Sequence, residues 1–185
     1  EGIWFSNFYA NSFRTDRGLV AILQGYPSPA TVSLMKNPRL TASLPSVSRH
    51  LADNGYDLRY YYGGDADFTN MRSFLVNQGF DNITEDVDFP VTDRLSKWGV
   101  PDHLVFKRVE TDLAHGRGHR LMFTVIQTSS SHEPFDVPYH RLGTQKYQFL
   151  NRPVPMGDVK LETEHMNRLQ AVAQAILGDR LRVPH

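Results

Sequence analysis

Two spacings of apolar residues recur along this chain, one of them alternating and the other helical. Ile3, Phe5 and Phe8 alternate with polar neighbours and predict a strand. A polar break at Asn11-Ser-Phe-Arg14 follows, and Leu19-Val-Ala-Ile-Leu23 then predicts a helix with the Thr15 hydroxyl at its N-cap. Ser46 to Asn54 carries Val47 and Leu51 one turn apart, with Gly55 as its stop signal. Asp57 to Tyr62 alternates Leu58, Tyr60 and Tyr62 and ends at Gly63-Gly64, a strand pattern. Asp67 to Gln78 predicts a helix with Phe68, Met71 and Leu75 on one face. Asn82 to Phe89 is acidic and reads as a short strand or a loop. Pro101 suits the first turn of a further helix, whose stripe is Leu104, Val105, Val109 and Leu113. Leu121 to Gln127 is nearly continuous in apolar residues, the pattern of a strand buried on both faces. The hydroxyl-rich loop Thr128-Ser-Ser-Ser-His-Glu-Pro-Phe135 follows it. Pro153 and Pro155 mark another loop, and Glu162 to Leu177 predicts a last amphipathic helix.

Strands alternating with helices predict an α/β sandwich with a mainly parallel sheet. Ligands collect at the carboxyl ends of strands in such sheets. Thr15 and His132 both follow predicted strands at that edge, which makes them candidates for one composite site.

Composition narrows the classes. The 185 residues suit one domain, and an apolar fraction of 40% suits a globular chain. Twenty basic residues balance twenty acidic ones, so no charge excess favours nucleic acid or an anionic membrane surface. No apolar run approaches the roughly 18 residues of a membrane span. Glu1 is not a natural start, so an N-terminal part is expected upstream. The absence of cysteine excludes disulfides, thiolate metal sites and a cysteine nucleophile.

A hydroxyl at a helix N-terminus lies beside unpaired backbone N–H groups, where a phosphate or sulfate would be held. Thr15 therefore reads as a nucleophile or as a simple cap. Arg17, in the first helical turn, reads as a clamp on phosphoryl oxygens or as half of an ion pair with Asp16 or a more distant acid. His132 reads as a donor to a phosphate or leaving group, or as a cap of its own loop. Asn70 and Arg72 read as weaker substrate contacts or as a solvated helix face. Tyr60, Tyr61 and Tyr62 read mainly as core, with a sugar-stacking role as the alternative. The glycine-spaced His115, Arg117 and His119 read as a surface turn rather than a metal site.

Five blocks resemble the sulfatase-like branch of the alkaline phosphatase superfamily. They are EGIWFSNFYANSFRTDRG at 1–18, LADNGYDLRYYYGGDADFTNMRSFL at 51–75, NQGFDNITED at 77–86, KWGVPDHLVF at 97–106 and FTVIQTSSSHEPFDVP at 123–138. Within that branch they are most similar to lipoteichoic acid synthase and to phosphoglycerol and phosphoethanolamine transferases. From about 139 onward the likeness is weak, although Asn167 to Asp179 looks like a helix that the family places before its last metal-binding strand.

The resemblance implies an alkaline-phosphatase-like layered sandwich, of which residues 1–185 would be the central portion of the catalytic domain. It also implies a threonine nucleophile and metal ligand at Thr15, a divalent ion (manganese, magnesium or zinc) and a phosphate-facing histidine at His132. The implied substrate is an envelope lipid or glycan headgroup, reached by a membrane-anchored domain outside the cytoplasm. A threonine in place of a matured cysteine or serine moves the reading from sulfate hydrolysis toward phosphoryl transfer. A sulfatase, a phosphatase or a non-catalytic binding domain of the same fold are the alternatives.

Two family features fall elsewhere. The acidic metal ligand would lie upstream of Glu1, and Asp102-His103 sits at a helix start rather than after an apolar strand. No tightly held metal is therefore expected from these residues alone. Where the family has a tryptophan and an arginine for glycerol phosphate, this chain has Thr69 and Met71, with Arg72 adjacent.

Overall fold

The computed structural model describes residues 7–29, 31–115, 121–130, 132 and 133. The chain divides into two units, Glu1–Leu142 and Gly143–His185, and all the described residues belong to the first. The expected helices at 162–177 and 167–179, the loop at Pro153 and Pro155, and most of the strand expected at 3–8 lie outside the described residues.

Among the described residues a parallel sheet runs in the order β2-β1-β3, with β1 Asp57–Tyr62 between β2 Asn82–Thr84 and β3 Met122–Gln127. Helices cover both faces, as in an α/β sandwich. The period of two along β1 explains the layering. Leu58, Tyr60 and Tyr62 point into one core with Leu19, Val20 and Leu23 of α1 (Thr15–Gln24) and Met71, Phe74 and Leu75 of α4 (Met71–Asn77). Tyr61 points into the other, with Val100 and with Val105 and Val109 of α5 (Asp102–His115). All three tyrosines are buried, so none is available to stack a sugar. Tyr60 donates its hydroxyl to the Gln127 side chain and loses water almost completely, which raises its pKa far above the ordinary phenol value.

Two short helices, α2 (Pro38–Ser43) and α3 (Val47–Asp53), begin with side-chain caps. Asn37 accepts from the Leu40 N–H, and Ser46 accepts from the Arg49 N–H.

Three expectations need correction. The helix expected from Asp67 begins at Met71, because Thr69 and Asn70 adopt positive φ values of 56° and 66° that interrupt helical geometry. Phe68 consequently leaves the apolar stripe and is 54% exposed. The strand expected to be buried on both faces is β3, yet among the described residues it is an edge strand of intermediate burial, and β1 holds the doubly covered position.

β1 ends in Gly63-Gly64 because another backbone passes directly against it. The Val100 N–H donates to the Gly63 carbonyl at 2.7 Å, and a Cβ on Gly63 would overlap the Val100 carbonyl. Gly99 takes φ 106°, and a side chain there would overlap the Gly63 carbonyl in turn. Gly63→Ala should therefore cost about 1–3 kcal/mol through overpacking. The check is a lower urea midpoint at unchanged m-value. Gly18→Ala, where the new methyl meets nothing within 4 Å, should instead match or exceed wild-type stability by up to about 1 kcal/mol.

Candidate active site

The N-terminus of α1 and the carboxyl ends of β1 and β3 meet around a cavity of about 310 Å³. Phe13, Arg14, Thr15 and Asp16 supply one wall. Gln127, Thr128, Ser129 and His132 supply the wall beyond β3, and Tyr62, Phe68, Thr69, Met71 and Trp98 complete the lining. Thr15 and His132 thus share one cavity at the sheet edge where α/β folds gather ligands.

Thr15 is the first residue of α1 rather than its N-cap. Arg14 is the N-cap, with extended backbone and no capping side-chain hydrogen bond. The Thr15 side chain is thereby released from the capping role expected of it. Asp16, in the same turn, is 4% exposed and accepts from Arg14 Nε at 3.0 Å. Burial raises its pKa, but the Ser33 hydroxyl and the Arg14 and Arg17 charges outweigh that, and the net shift is downward. Ser33 acts there as a nearby dipole, because neither its Oγ nor Asp16 Oδ2 reaches a partner with hydrogen-bond geometry. A carboxylate in the first turn is also favoured by the helix dipole.

His132 is oriented by its neighbours. Its ring centroid lies 4.1 Å from that of Trp98, and its Nδ1 is 3.1 Å from the Glu133 carbonyl oxygen. A carbonyl only accepts, so Nδ1 carries the proton and Nε2 is the unprotonated nitrogen of the neutral ring. Trp98 Nε1 donates to the same carbonyl at 2.6 Å.

Asp102 holds the loop that carries His132. Its Oδ1 accepts from the Ser129 N–H at 2.7 Å, and both its oxygens accept from the Ser130 N–H at 3.2 Å. The Ser130 hydroxyl accepts from the Asp102 N–H at 2.9 Å. The start of α5 and the end of β3 therefore cap each other. In the sequence, Asp102 drew attention only as half of an Asp-His pair. An aspartate one residue after Pro101 at a helix start was the available signal for a capping carboxylate.

The other candidates lie off the cavity wall. Arg72 pairs with Glu85 and, at 2.8 Å, with Asp67. Asn70 donates to the Met35 carbonyl at 3.1 Å, a structural bond. Arg17 lies with its guanidinium 5.6 Å from the centre of the Phe13 ring. His115 contacts the Thr111 carbonyl at the end of α5, and residues 116–120 lie outside those described.

No group of three or more histidine, cysteine or acidic residues among the described residues could hold a metal ion. The acids and imidazole of the cavity lining are Asp16, already paired with Arg14, and His132. These residues do not by themselves make a divalent-ion site.

Removing the Asp102 carboxylate should loosen the loop. Hydrogen bonds to a charged acceptor contribute about 1.5–3 kcal/mol. Asp102→Ala should speed hydrogen exchange at the Ser129 and Ser130 amides by at least an order of magnitude, while the β1 amides keep wild-type protection. Asp102→Asn, which retains one acceptor oxygen, should fall between.

Residues 1–154 match the family model described as Sulfatase. A protein in the alkaline phosphatase superfamily from Vibrio parahaemolyticus has a similar solved structure, with a TM-score of 0.64 at 28% identity over 70% of this chain and 32% of that one. Phosphoglycerol transferase I of Xanthomonas campestris pv. campestris (strain B100) is 29% identical over 160 residues, 80% of this chain and 22% of the relative. A shorter stretch of 48 residues is 56% identical to an isethionate sulfite-lyase activating enzyme of Desulfovibrio desulfuricans, covering 26% of this chain and 15% of that protein. The chain thus spans under a quarter of the length of either curated relative. The family match and the fold likeness bear out the resemblance and the layered α/β architecture read from the five blocks.

Proposed function

Because the chain belongs to the sulfatase family, whose members include enzymes of ester cleavage and phosphoryl transfer, we propose that its cavity carries out phosphoryl-group transfer or phosphodiester hydrolysis on an envelope lipid or glycan headgroup, with Thr15 as nucleophile. The observation that carries this reading is the shared cavity: an uncapped helix start bearing Thr15 faces the loop bearing His132. The likeness to a phosphoglycerol transferase supports phosphorus over sulfur as the centre attacked. So does threonine itself, which cannot be matured as a cysteine can.

In this reading Thr15 Oγ1 forms a bond to phosphorus as the bond from phosphorus to the leaving alcohol oxygen breaks. The hydroxyl gives up its proton, and the leaving oxygen gains one. His132 Nε2 is the group that exchanges it, accepting when neutral and donating when charged. An acceptor alcohol or water then attacks the phosphothreonine and restores the hydroxyl. N–H groups of the first turn of α1 and its dipole favour the anionic phosphoryl group. Arg14, at the cavity wall, adds positive charge. Arg17, Arg72 and Asn70 shape this site from behind its wall in our reading, rather than by contact.

A divalent ion would lower the barrier to forming the alkoxide and offset phosphoryl charge. We infer dependence on manganese, magnesium or zinc, with Thr15 among the ligands and the remaining donors outside the described residues. Residues 1–185 are proposed as the central portion of a sulfatase-like catalytic domain facing the outside of the cytoplasmic membrane. No helix of the described residues is long and apolar enough to cross a membrane.

Thr15→Ala should abolish manganese-supplemented turnover of bis(p-nitrophenyl) phosphate. It should leave stability within about 0.5 kcal/mol, since Thr15 is not the cap. Thr15→Ser should keep part of the rate, and a phosphate on residue 15 should be trapped by mass spectrometry under rapid acid quench. A folded Thr15→Ala protein with near wild-type turnover would reduce Thr15 to an element of the helix start.

A further inference from the structure

The hydroxyls of the loop after β3 are engaged in different ways. Thr128 is exposed to water. Ser130 accepts the Asp102 N–H on its Oγ at 2.9 Å. Ser129 is 7% exposed, and its Oγ reaches no hydrogen-bond partner among the described residues. We propose that Ser129 is a phosphoryl-binding residue, whose hydroxyl donates a hydrogen bond to a non-bridging oxygen of the group that Thr15 attacks. The proposal rests on the reading of this cavity as a reaction centre.

Three observations carry it. The first is the idle hydroxyl itself. A hydroxyl withdrawn from water without a partner is destabilising, and the large majority of buried side-chain polar atoms are paired. Ser129 therefore works against the stability of the free protein, and a ligand that brings an acceptor turns that cost into affinity. The second is place. Ser129 lines the same cavity as Arg14, Thr15 and His132. Thr15 stands at the N-terminus of α1, where N–H groups and the helix dipole favour an anion. Ser129 stands on the wall beyond β3. Donors on two walls hold a tetrahedral anion in one orientation, whereas one wall alone leaves it free to turn. Asp16 Oδ2 lines this cavity and also lacks a partner, but an ionised carboxylate only accepts, so a phosphoryl oxygen does not satisfy it. Ser129 is a donor. The third is rigidity. The Ser129 N–H donates to Asp102 Oδ1 at 2.7 Å, and its carbonyl accepts from the His132 N–H at 2.9 Å. Both backbone groups of the residue are fixed, and its hydroxyl and the His132 imidazole hang from one turn. A donor on so fixed a backbone gives up little freedom when an anion arrives.

The test is calorimetric titration of the full chain with inorganic phosphate at low salt. Wild-type protein should bind saturably, and Ser129→Ala should weaken binding about tenfold. The same variant should keep a urea midpoint at or above wild type, because it removes a hydroxyl that the free protein leaves unpaired. The Ser129→Ala protein should also keep wild-type hydrogen exchange at residues 129 and 130, unlike Asp102→Ala. Ser129→Cys fills nearly the same space with a weak donor and should bind phosphate as poorly as Ser129→Ala does. Absence of saturable phosphate binding would overturn the proposal, as would a Ser129→Ala affinity equal to wild type. Wild-type affinity in Ser129→Cys would overturn it in favour of packing alone. Loss of affinity together with faster exchange at residues 129 and 130 would overturn it in favour of a structural role in the loop. Because binding is read without turnover, failure of Ser129 leaves the Thr15 quench experiment standing, and failure of Thr15 as nucleophile leaves the phosphate titration standing.

Discussion

The contact between Gly63-Gly64 and Gly99-Val100 is the constraint from which the site follows. Two backbones meet there with no side chain between them, locked by the Val100 N–H on the Gly63 carbonyl. On one side the contact fixes the end of the central strand. On the other it fixes the segment that carries Trp98 and, two residues beyond Val100, Asp102. Trp98 then orients His132 and meets Phe68, while Asp102 grips the backbone of Ser129 and Ser130. One glycine-enabled approach thus positions both aromatic walls and the loop after β3. A larger residue at Gly63 would move all of them together, because they hang from the same few atoms.

The fold was legible where its patterns were strictly periodic. Asp57–Tyr62 alternates, and the two cores sort its side chains by parity as alternation requires. Ser46 and Gly55 bracket α3 through ordinary cap chemistry, with Gly55 at φ 83°. The errors arose where a local conformation overrode periodicity. Phe68, Met71 and Leu75 have helical spacing, and although asparagine tolerates the left-handed region, a β-branched threonine before it does not announce two successive left-handed residues. Leu121 to Gln127 is apolar enough for a central strand, yet apolar character does not state a strand's place in a sheet.

The site was legible in part for a related reason. Thr15 and His132 stood out because each follows an expected strand, and topology alone brings strand ends to one edge. Residue type and proximity in sequence single out the arginines and Asn70, but neither encodes the direction of a side chain. Arg72 faces Glu85 and Asp67 instead, where a buried carboxylate demanded a partner more strongly than an open cavity did. Asp102 gives no comparable signal, because its role is to hold backbone amides 27 and 28 residues away, a relation that exists only once β3 packs against the start of α5.

Charge at the cavity wall is carried by one ion pair at the start of α1. Asp16 is the buried acid of the helix start, and Arg14 meets it through Nε at 3.0 Å. The carboxylate is held ionised although burial opposes it. It therefore anchors Arg14 beside Thr15 as a fixed charge rather than a wandering surface cation, which matters because an exposed arginine surrenders rotamer freedom when it grips an anion. A neighbouring cleft, which shares Tyr62, Phe68 and Trp98 with the cavity, likewise has cations and carboxylates in equal number. An anionic group in the cavity would be drawn toward the N-terminus of α1, where the helix dipole and the anchored Arg14 lie.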